Sequence, residues 1–225
     1  MKGIILCMYS GGLDSAGMLH FLLTKEEYQD YSVHVHHMHL VNPENRAPVE
    51  AAVTQVALKH LADSGYRQFS YSESLHKYPA FNKQIIWDAD LCAFMAGTIC
   101  NASPDIRLVA LGRTRTDIEQ AGHDFPARMA RAQAIFKAVK AMNPQESEYV
   151  FPVAHLAKRE LWELMPPELR ERTWSCRRPI YDAEKRVHAC GRCISCAALG
   201  IAPPTMTPPV PPAPDAPPTE PDAAP

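Results

Sequence analysis

The stretch ILCMYSGGLDSAGML, Ile5–Leu19, constrains this chain more than any other. An apolar run over Ile4–Met8 reads as a fully buried strand, and Met18, Leu19, Leu22 and Leu23 make a helical stripe beyond it. Between them stands Ser10-Gly11-Gly12-Leu13-Asp14-Ser15. Two glycines let a backbone turn tightly and come close to an anion, with Gly12 expected at positive φ. The helix that follows offers unpaired N–H groups and the positive end of a dipole. Ser10 and Ser15 can donate to phosphate oxygens. Asp14 would repel a bare phosphate, so its expected partner is Mg²⁺ or the loop backbone. No lysine follows the glycines, which separates this loop from the lysine-bearing phosphate loop. An ordinary turn with Ser or Asp as helix cap would not need all six specified positions.

Further strand-like segments lie at Tyr31–Met38, Arg67–Tyr71, Leu108–Leu111 and Tyr149–Val153. Helical patterns lie at Val49–Leu61, Ile85–Cys100, Phe125–Met142 and Lys158–Met165. Strands alternating with helices predict parallel βαβ units, hence an α/β fold with a parallel, Rossmann-like sheet covered on both faces. With 225 residues and 46% hydrophobic content, the chain can bury one substantial core and a small lobe. The expected division is 1–165 for the α/β domain, 166–202 for a cysteine-bearing lobe and 203–225 for a tail. That tail is proline-rich and reads as a solvated, polyproline-like segment, with a proline-binding partner as the alternative. It holds Asp215, Glu220 and Asp222; without these three the 25 acids fall to 22 against 23 bases. A near-neutral body argues against a general nucleic-acid surface. The longest apolar runs fall short of the ~20 residues of a membrane span, and the N-terminus reads as a first strand rather than a signal peptide. Seven cysteines, four of them late, suit thiols used for metal in a reducing, cytoplasmic setting.

The late cysteines are Cys176, Cys190, Cys193 and Cys196, in SCRRPIYDAEKRVHACGRCISC. Two overlapping C-x-x-C turns can wrap one ion, and a fourth thiolate across a polar loop predicts a tetrahedral, structural Zn²⁺ site, one per chain. Redox use and an iron–sulfur cluster are the competing readings. His188 is a substitute ligand at a less favourable spacing. Cys7, Cys92 and Cys100 sit in apolar runs and read as core thiols.

The Ser10–Ser15 loop is similar to the pyrophosphate loop of the N-type ATP pyrophosphatases (the PP-loop superfamily). Together with the late S-C-x(13)-C-G-x-C-x-x-C pattern, the chain from about Met1 to Leu199 resembles the 7-cyano-7-deazaguanine synthase family of queuosine biosynthesis. The resemblance extends to Leu111-Gly112 with Arg113, Thr116 and Asp117, a second active-site loop expected to touch substrate. It extends also to Lys158 with Glu160, whose lysine is expected near the phosphates, and to Thr173-Trp174-Ser175-Cys176, which leads to the first zinc ligand. It implies an adenine nucleotide alpha hydrolase-like domain, a homodimer, and an ATP-dependent ligase. Its substrates would be a 7-deazaguanine-type carboxylate and free ammonia, with ATP, Mg²⁺ and Zn²⁺ as cofactors and Asp14 and Lys158 as catalytic residues. Two segments depart from the family pattern. HMHLVNPENRAPVE stands where the family has Gly-Gln after the second strand, and IWDADL replaces its Pro-Gly-Arg-Asn. The alternatives are therefore the same ATP chemistry on another acceptor (a nucleic-acid base precursor, tRNA or a protein carboxyl terminus), or a non-catalytic nucleotide- or zinc-dependent module.

The dense histidines His34, His36, His37 and His39 alternate faces on a strand, so four convergent metal ligands are not expected. Arg128, Arg131, Lys137 and Lys140 read as a solvated helix face. Arg177 and Arg178 read equally as solvated charges or as an anion site.

Overall fold

The computed structural model describes residues 2–77, 87–140 and 146–199. The expected proline-rich tail, and the ends at Ile85, Ile86, Ala141 and Met142 of two expected helices, lie outside the described residues.

Five parallel strands form one sheet: β1 (Gly3–Tyr9), β2 (Tyr31–Val41), β3 (Phe69–Lys77), β4 (Ile106–Leu111) and β5 (Glu148–Val150), in the order β3-β2-β1-β4-β5. The helices are α1 (Leu13–Thr24), α2 (Ala47–Asp63), α3 (Asp88–Ala102), α4 (Arg115–Ala121), α5 (Asp124–Lys140), α6 (Lys158–Leu164) and α7 (Pro167–Arg170). This is the expected α/β fold. Strand alternation sorts the core. Ile5, Cys7, Val33 and Val35 face one side and pack with Leu19, Leu22, Leu58, Leu61, Leu161 and Leu169. Leu6, Met8, Val109 and Met38 face the other and pack with Ala93, Ala96, Ala132 and Phe136. The strand order reverses between β1 and β4, and the crevice outside the carboxyl ends there is where such sheets bind ligands. The chain places Ser10–Ser15 after β1 and Gly112–Asp117 after β4 at this switch point. None of the described helices is long and apolar enough to cross a membrane.

A small lobe follows α7. It contains a hairpin of β6 (Ile180–Tyr181) and β7 (Val187–His188) and a short helix α8 (Ile194–Ala198). Its core is small: Trp174, Cys176, Val187 and Cys196 pack on Val49 and Val53 of α2.

The expected strand Arg67–Tyr71 is longer than its apolar content suggests, because β3 presents alternate serines to one face of the sheet. Ser70, Ser72 and Ser74 interleave with His34, His36 and His76 in a chain of hydrogen bonds of 2.7, 2.7, 2.8, 3.0 and 2.9 Å. Each neutral imidazole and each hydroxyl supplies one donor, so the chain can run donor to acceptor in one direction. His37 and His39 lie on the opposite face. His37 is fully buried with its ring nitrogen Nδ1 2.9 Å from the Tyr9 carbonyl, and His39 pairs with Glu73 at 3.1 Å. The two faces thus hold the histidines apart, as the alternation requires.

Burial lowers the pKa of both His36 and His37 to about 4, and lowers those of His34 and His76. An unfolded chain takes up these protons near pH 6.5, so the stability is complete above that pH and is lost as pH falls from about 6.5 towards 4. Thermal melting of the wild type should drop steeply across this window. A His36→Gln/His37→Asn double variant should show a shallower drop, and an identical pH profile for the two proteins would contradict the assignment.

Candidate functional site

β1 ends at Tyr9, and Gly11 turns the chain with φ of 75°. The positive φ falls on Gly11 and not on Gly12, which is extended at φ −80° and precedes α1 directly. A Cβ on Gly11 would lie 2.8 Å from the Thr54 hydroxyl and 2.9 Å from Val53, so packing against α2 also demands glycine there. Ser15 holds the loop's shape: its hydroxyl donates to the Gly12 carbonyl at 3.0 Å and accepts the Ser10 N–H at 3.2 Å. The Ser10 and Ser15 hydroxyls are 3.1 Å apart. No side chain within the loop caps α1. A helix start behind a glycine turn, with no cap from its own loop, is a ready anion site. Leu13, by contrast, is fully core: its side chain is 1% exposed.

Lys158 opens α6 and is 6% exposed. Its ammonium lies 3.0 Å from Asp14 and 2.9 Å from Asp117. Burial lifts the Asp14 carboxyl to about 6 against the pull of Lys158, and Arg113 adds a weaker positive field. The Asp117 carboxyl stays low despite burial, because Lys158 and the Thr114 hydroxyl and N–H stabilise its charge. Asp14 Oδ1 is buried with no hydrogen-bond partner among the described residues. A buried carboxylate oxygen left over beside a phosphate-type loop suits a hard divalent cation such as Mg²⁺.

The second loop reaches the first through Gly112. A Cβ there would lie 2.7 Å from the Asp14 carbonyl carbon and the Ser15 nitrogen, so only glycine lets β4 approach the first turn of α1. Thr116 and Asp117 lie in a helix. Thr114 and Asp117 form a capping box on α4, and the Thr116 hydroxyl accepts the Lys158 N–H at 3.0 Å. Their side chains thus build the frame around Lys158. Arg115 spans to Glu160 at 3.1 Å.

The four late cysteines converge. One sulfur from each of Cys176, Cys190, Cys193 and Cys196 lies within 4.8 Å of the others. The Cys176 and Cys190 sulfurs are 3.5 Å apart, and those of Cys193 and Cys196 are 3.4 Å apart. Four thiolates about 2.3 Å from a central ion would be roughly 3.8 Å apart, so the cage has the size for one metal. Backbone N–H groups of Cys190, Arg177 and Arg192 point at three of the sulfurs, at 3.2, 3.4 and 3.5 Å. Burial pushes the Cys193 thiol up, but the N–H groups of Arg177 and Cys196 outweigh it and hold the thiol down at about 6. Burial and the neighbouring thiols push Cys196 up to about 12. His188 stays outside, paired with Asp182 at 3.0 Å. Cys7 and Cys100 are buried in the sheet's core, as expected.

Sequence reasoning missed a buried ion network beside the site. Arg46, 8% exposed, reaches Glu44, Glu50 and Asp88 at 2.8, 2.7 and 2.8 Å. Arg177 joins Glu44 at 3.3 Å and Asp88 at 3.6 Å, while Arg178 is exposed. Arg131 pairs with Asp90 at 2.7 Å, and Arg128 stacks on Trp87, so this helix face is not purely solvated.

Two outcomes follow for Lys158 and Asp14. Lys158→Ala leaves two carboxylates facing one another without a cation and should lower unfolding stability by on the order of 2 kcal/mol in denaturant melts. A loss below a few tenths would show that the pair is solvated. Asp14 gains its proton below about pH 6, so affinity for a Mg²⁺–nucleotide should fall as pH drops through that value. Asp14→Asn should fold normally, bind more weakly and lack that pH dependence in calorimetric titration; a retained pH dependence would assign it to another group.

No family model matches the chain, and no curated protein matches it. Among solved structures it is similar to the U34-tRNA thiolase NcsA from Methanococcus maripaludis, solved with its 4Fe-4S cluster, at 14% sequence identity and a TM-score of 0.46. That alignment covers 83% of this chain and 59% of the thiolase, so the chain spans about three fifths of its neighbour's length.

Proposed function

We propose that the chain is an ATP-dependent carbon–nitrogen ligase that activates a carboxylate by adenylation and releases pyrophosphate. The observation that carries this is the first turn of α1 behind Gly11 and Gly12, at the β1/β4 switch point, with the Lys158 ammonium between Asp14 and Asp117. A carboxylate oxygen of the acceptor attacks the α-phosphorus of ATP. The bond from that phosphorus to the bridging oxygen breaks, and pyrophosphate leaves into the Ser10–Ser15 loop. Backbone N–H groups of the loop and the Lys158 charge oppose the negative charge that develops on the leaving group. Mg²⁺, held by Asp14, would neutralise phosphate charge when bound. Ammonia then attacks the acyl carbon, AMP leaves, and a proton is lost to give an amide. The amide oxygen then attacks the α-phosphorus of a second ATP and pyrophosphate leaves; AMP departs with that oxygen, two protons are lost in all, and a nitrile remains.

The resemblance in the loop and cysteine motifs supports 7-carboxy-7-deazaguanine as the acceptor. One observation favours a different acceptor. The two segments that depart from that family's pattern are joined to each other here: Arg46 of the first binds Asp88 of the second, and Arg177 binds the same carboxylate. The departures form one rebuilt wall beside the loop. The cysteine cage supports a structural Zn²⁺, since its sulfurs lie at single-ion spacing and four thiolates leave no open position for a catalytic water.

The test is incubation of purified protein with ATP, Mg²⁺, ammonium and 7-carboxy-7-deazaguanine, read by mass spectrometry. The nitrile is expected. ATP turnover without a base product would transfer the chemistry to another acceptor, and no turnover with any carboxylate would remove the ligase reading. Elemental analysis should find one zinc per chain, lost in Cys193→Ser and kept in Cys7→Ser. Iron with acid-labile sulfide in anaerobically purified protein would overturn the zinc assignment.

A further inference from the structure

The metal cage and the nucleotide loop touch through two adjacent residues. The Trp174 N–H donates to the Gly11 carbonyl at 2.9 Å, and the Leu13 N–H donates to the Ser175 hydroxyl at 3.2 Å. These bonds bracket Gly12, whose Cβ position lies 3.3 Å from the Trp174 carbonyl and 3.9 Å from the Ser175 hydroxyl. The next residue is Cys176, a member of the cage. The Trp174 indole N–H donates to the Cys176 carbonyl at 2.9 Å, and the Trp174 ring is buried with Cys176, Cys196, Val49 and Val53. On the far side of Cys176, the Arg177 N–H points at the Cys193 sulfur, and its guanidinium pairs with Glu44 and Asp88. Segment 174–177 is therefore fixed at one end by the loop and at the other by the cage.

We infer that Ser175 is a positioning residue of the nucleotide loop, and that metal held by Cys176, Cys190, Cys193 and Cys196 sets nucleotide affinity through it. The inference rests on the nucleotide-binding reading above. The physical reason is the short linkage. Gly11 must hold a left-handed conformation, and the bond from Trp174 fixes the carbonyl of that residue. The Ser175 hydroxyl caps the start of α1 from outside the helix, and having accepted from Leu13 it keeps its own proton to donate to a phosphate oxygen. A metal ion that locks Cys176 also locks the position of the hydroxyl one residue away. Without the ion, the small lobe has little apolar core to hold that segment in register. Linkage requires the reverse effect: a bound nucleotide should hold the metal more tightly by the same factor.

The test uses full-length protein and an α,β-methylene analogue of ATP with Mg²⁺, followed by calorimetry. Ser175→Ala should keep one metal per chain and melt only about 3 °C lower, the cost of one helix cap, yet bind the analogue about tenfold more weakly; Ser175→Thr should restore binding. Cys193→Ser should lose the metal and bind at least as weakly. The Ser175→Ala/Cys193→Ser double variant should be no weaker than the worse single variant, because both act through one linkage. The analogue should slow metal transfer to a chromogenic chelator in the wild type but not in Ser175→Ala. If the wild type binds the analogue and both single variants bind it equally well, the inference is overturned while the nucleotide-binding reading stands. If the wild type does not bind it, both fall.

Discussion

The Lys158 ammonium, buried between Asp14 and Asp117, is the interaction on which the site depends. It joins three elements that are far apart in sequence: the first turn of α1, the capped start of α4 and the start of α6. Burying a lone ammonium or a lone carboxylate is strongly unfavourable, so each partner requires the others. The surrounding hydrogen bonds serve this arrangement. Thr114 fixes Asp117, Thr116 fixes the backbone of Lys158, and Glu160 accepts from the Ala157 N–H at 2.6 Å. Net charge at the centre is negative by one before any ligand binds, and one oxygen of Asp14 stays without a partner. Such a centre is poised for a cation that arrives with its own anion, as Mg²⁺ does with a nucleotide.

The sheet was legible because β1, at its centre, is apolar on both faces, as burial between two helical layers demands. The loop was legible because six specified positions stand at one strand-to-helix junction. Ends and edges were harder. β3 carries serines where a buried strand would carry valines, since its partners on that face are imidazoles. The helix α4 stands where the family resemblance implies a loop, although Thr114 and Asp117 at positions i and i+3 carry a capping-box signal for it. Both glycines satisfy the same local pattern for positive φ, and only the packing of Gly11 on Val53 and Thr54 distinguishes them.

Contacts between distant segments were not legible at all. Leu13 and Ser175 are 162 positions apart, and nothing local to either records the bond. The Arg46–Asp88 pair is similarly remote, though both residues fall in the segments that break the family pattern. Cysteine spacing, by contrast, predicted the four convergent sulfurs directly, because C-x-x-C turns carry their geometry with them.

The central claim is cleavage of ATP between the α- and β-phosphorus atoms, with transfer of the AMP moiety to a carboxylate oxygen. It is tested most directly by turnover with an acceptor whose carboxylate is labelled with ¹⁸O, followed by mass spectrometry of the nucleotide product. The account predicts AMP and pyrophosphate, with one labelled oxygen in the AMP. ADP and inorganic phosphate, or AMP that takes its oxygen from water, would contradict it.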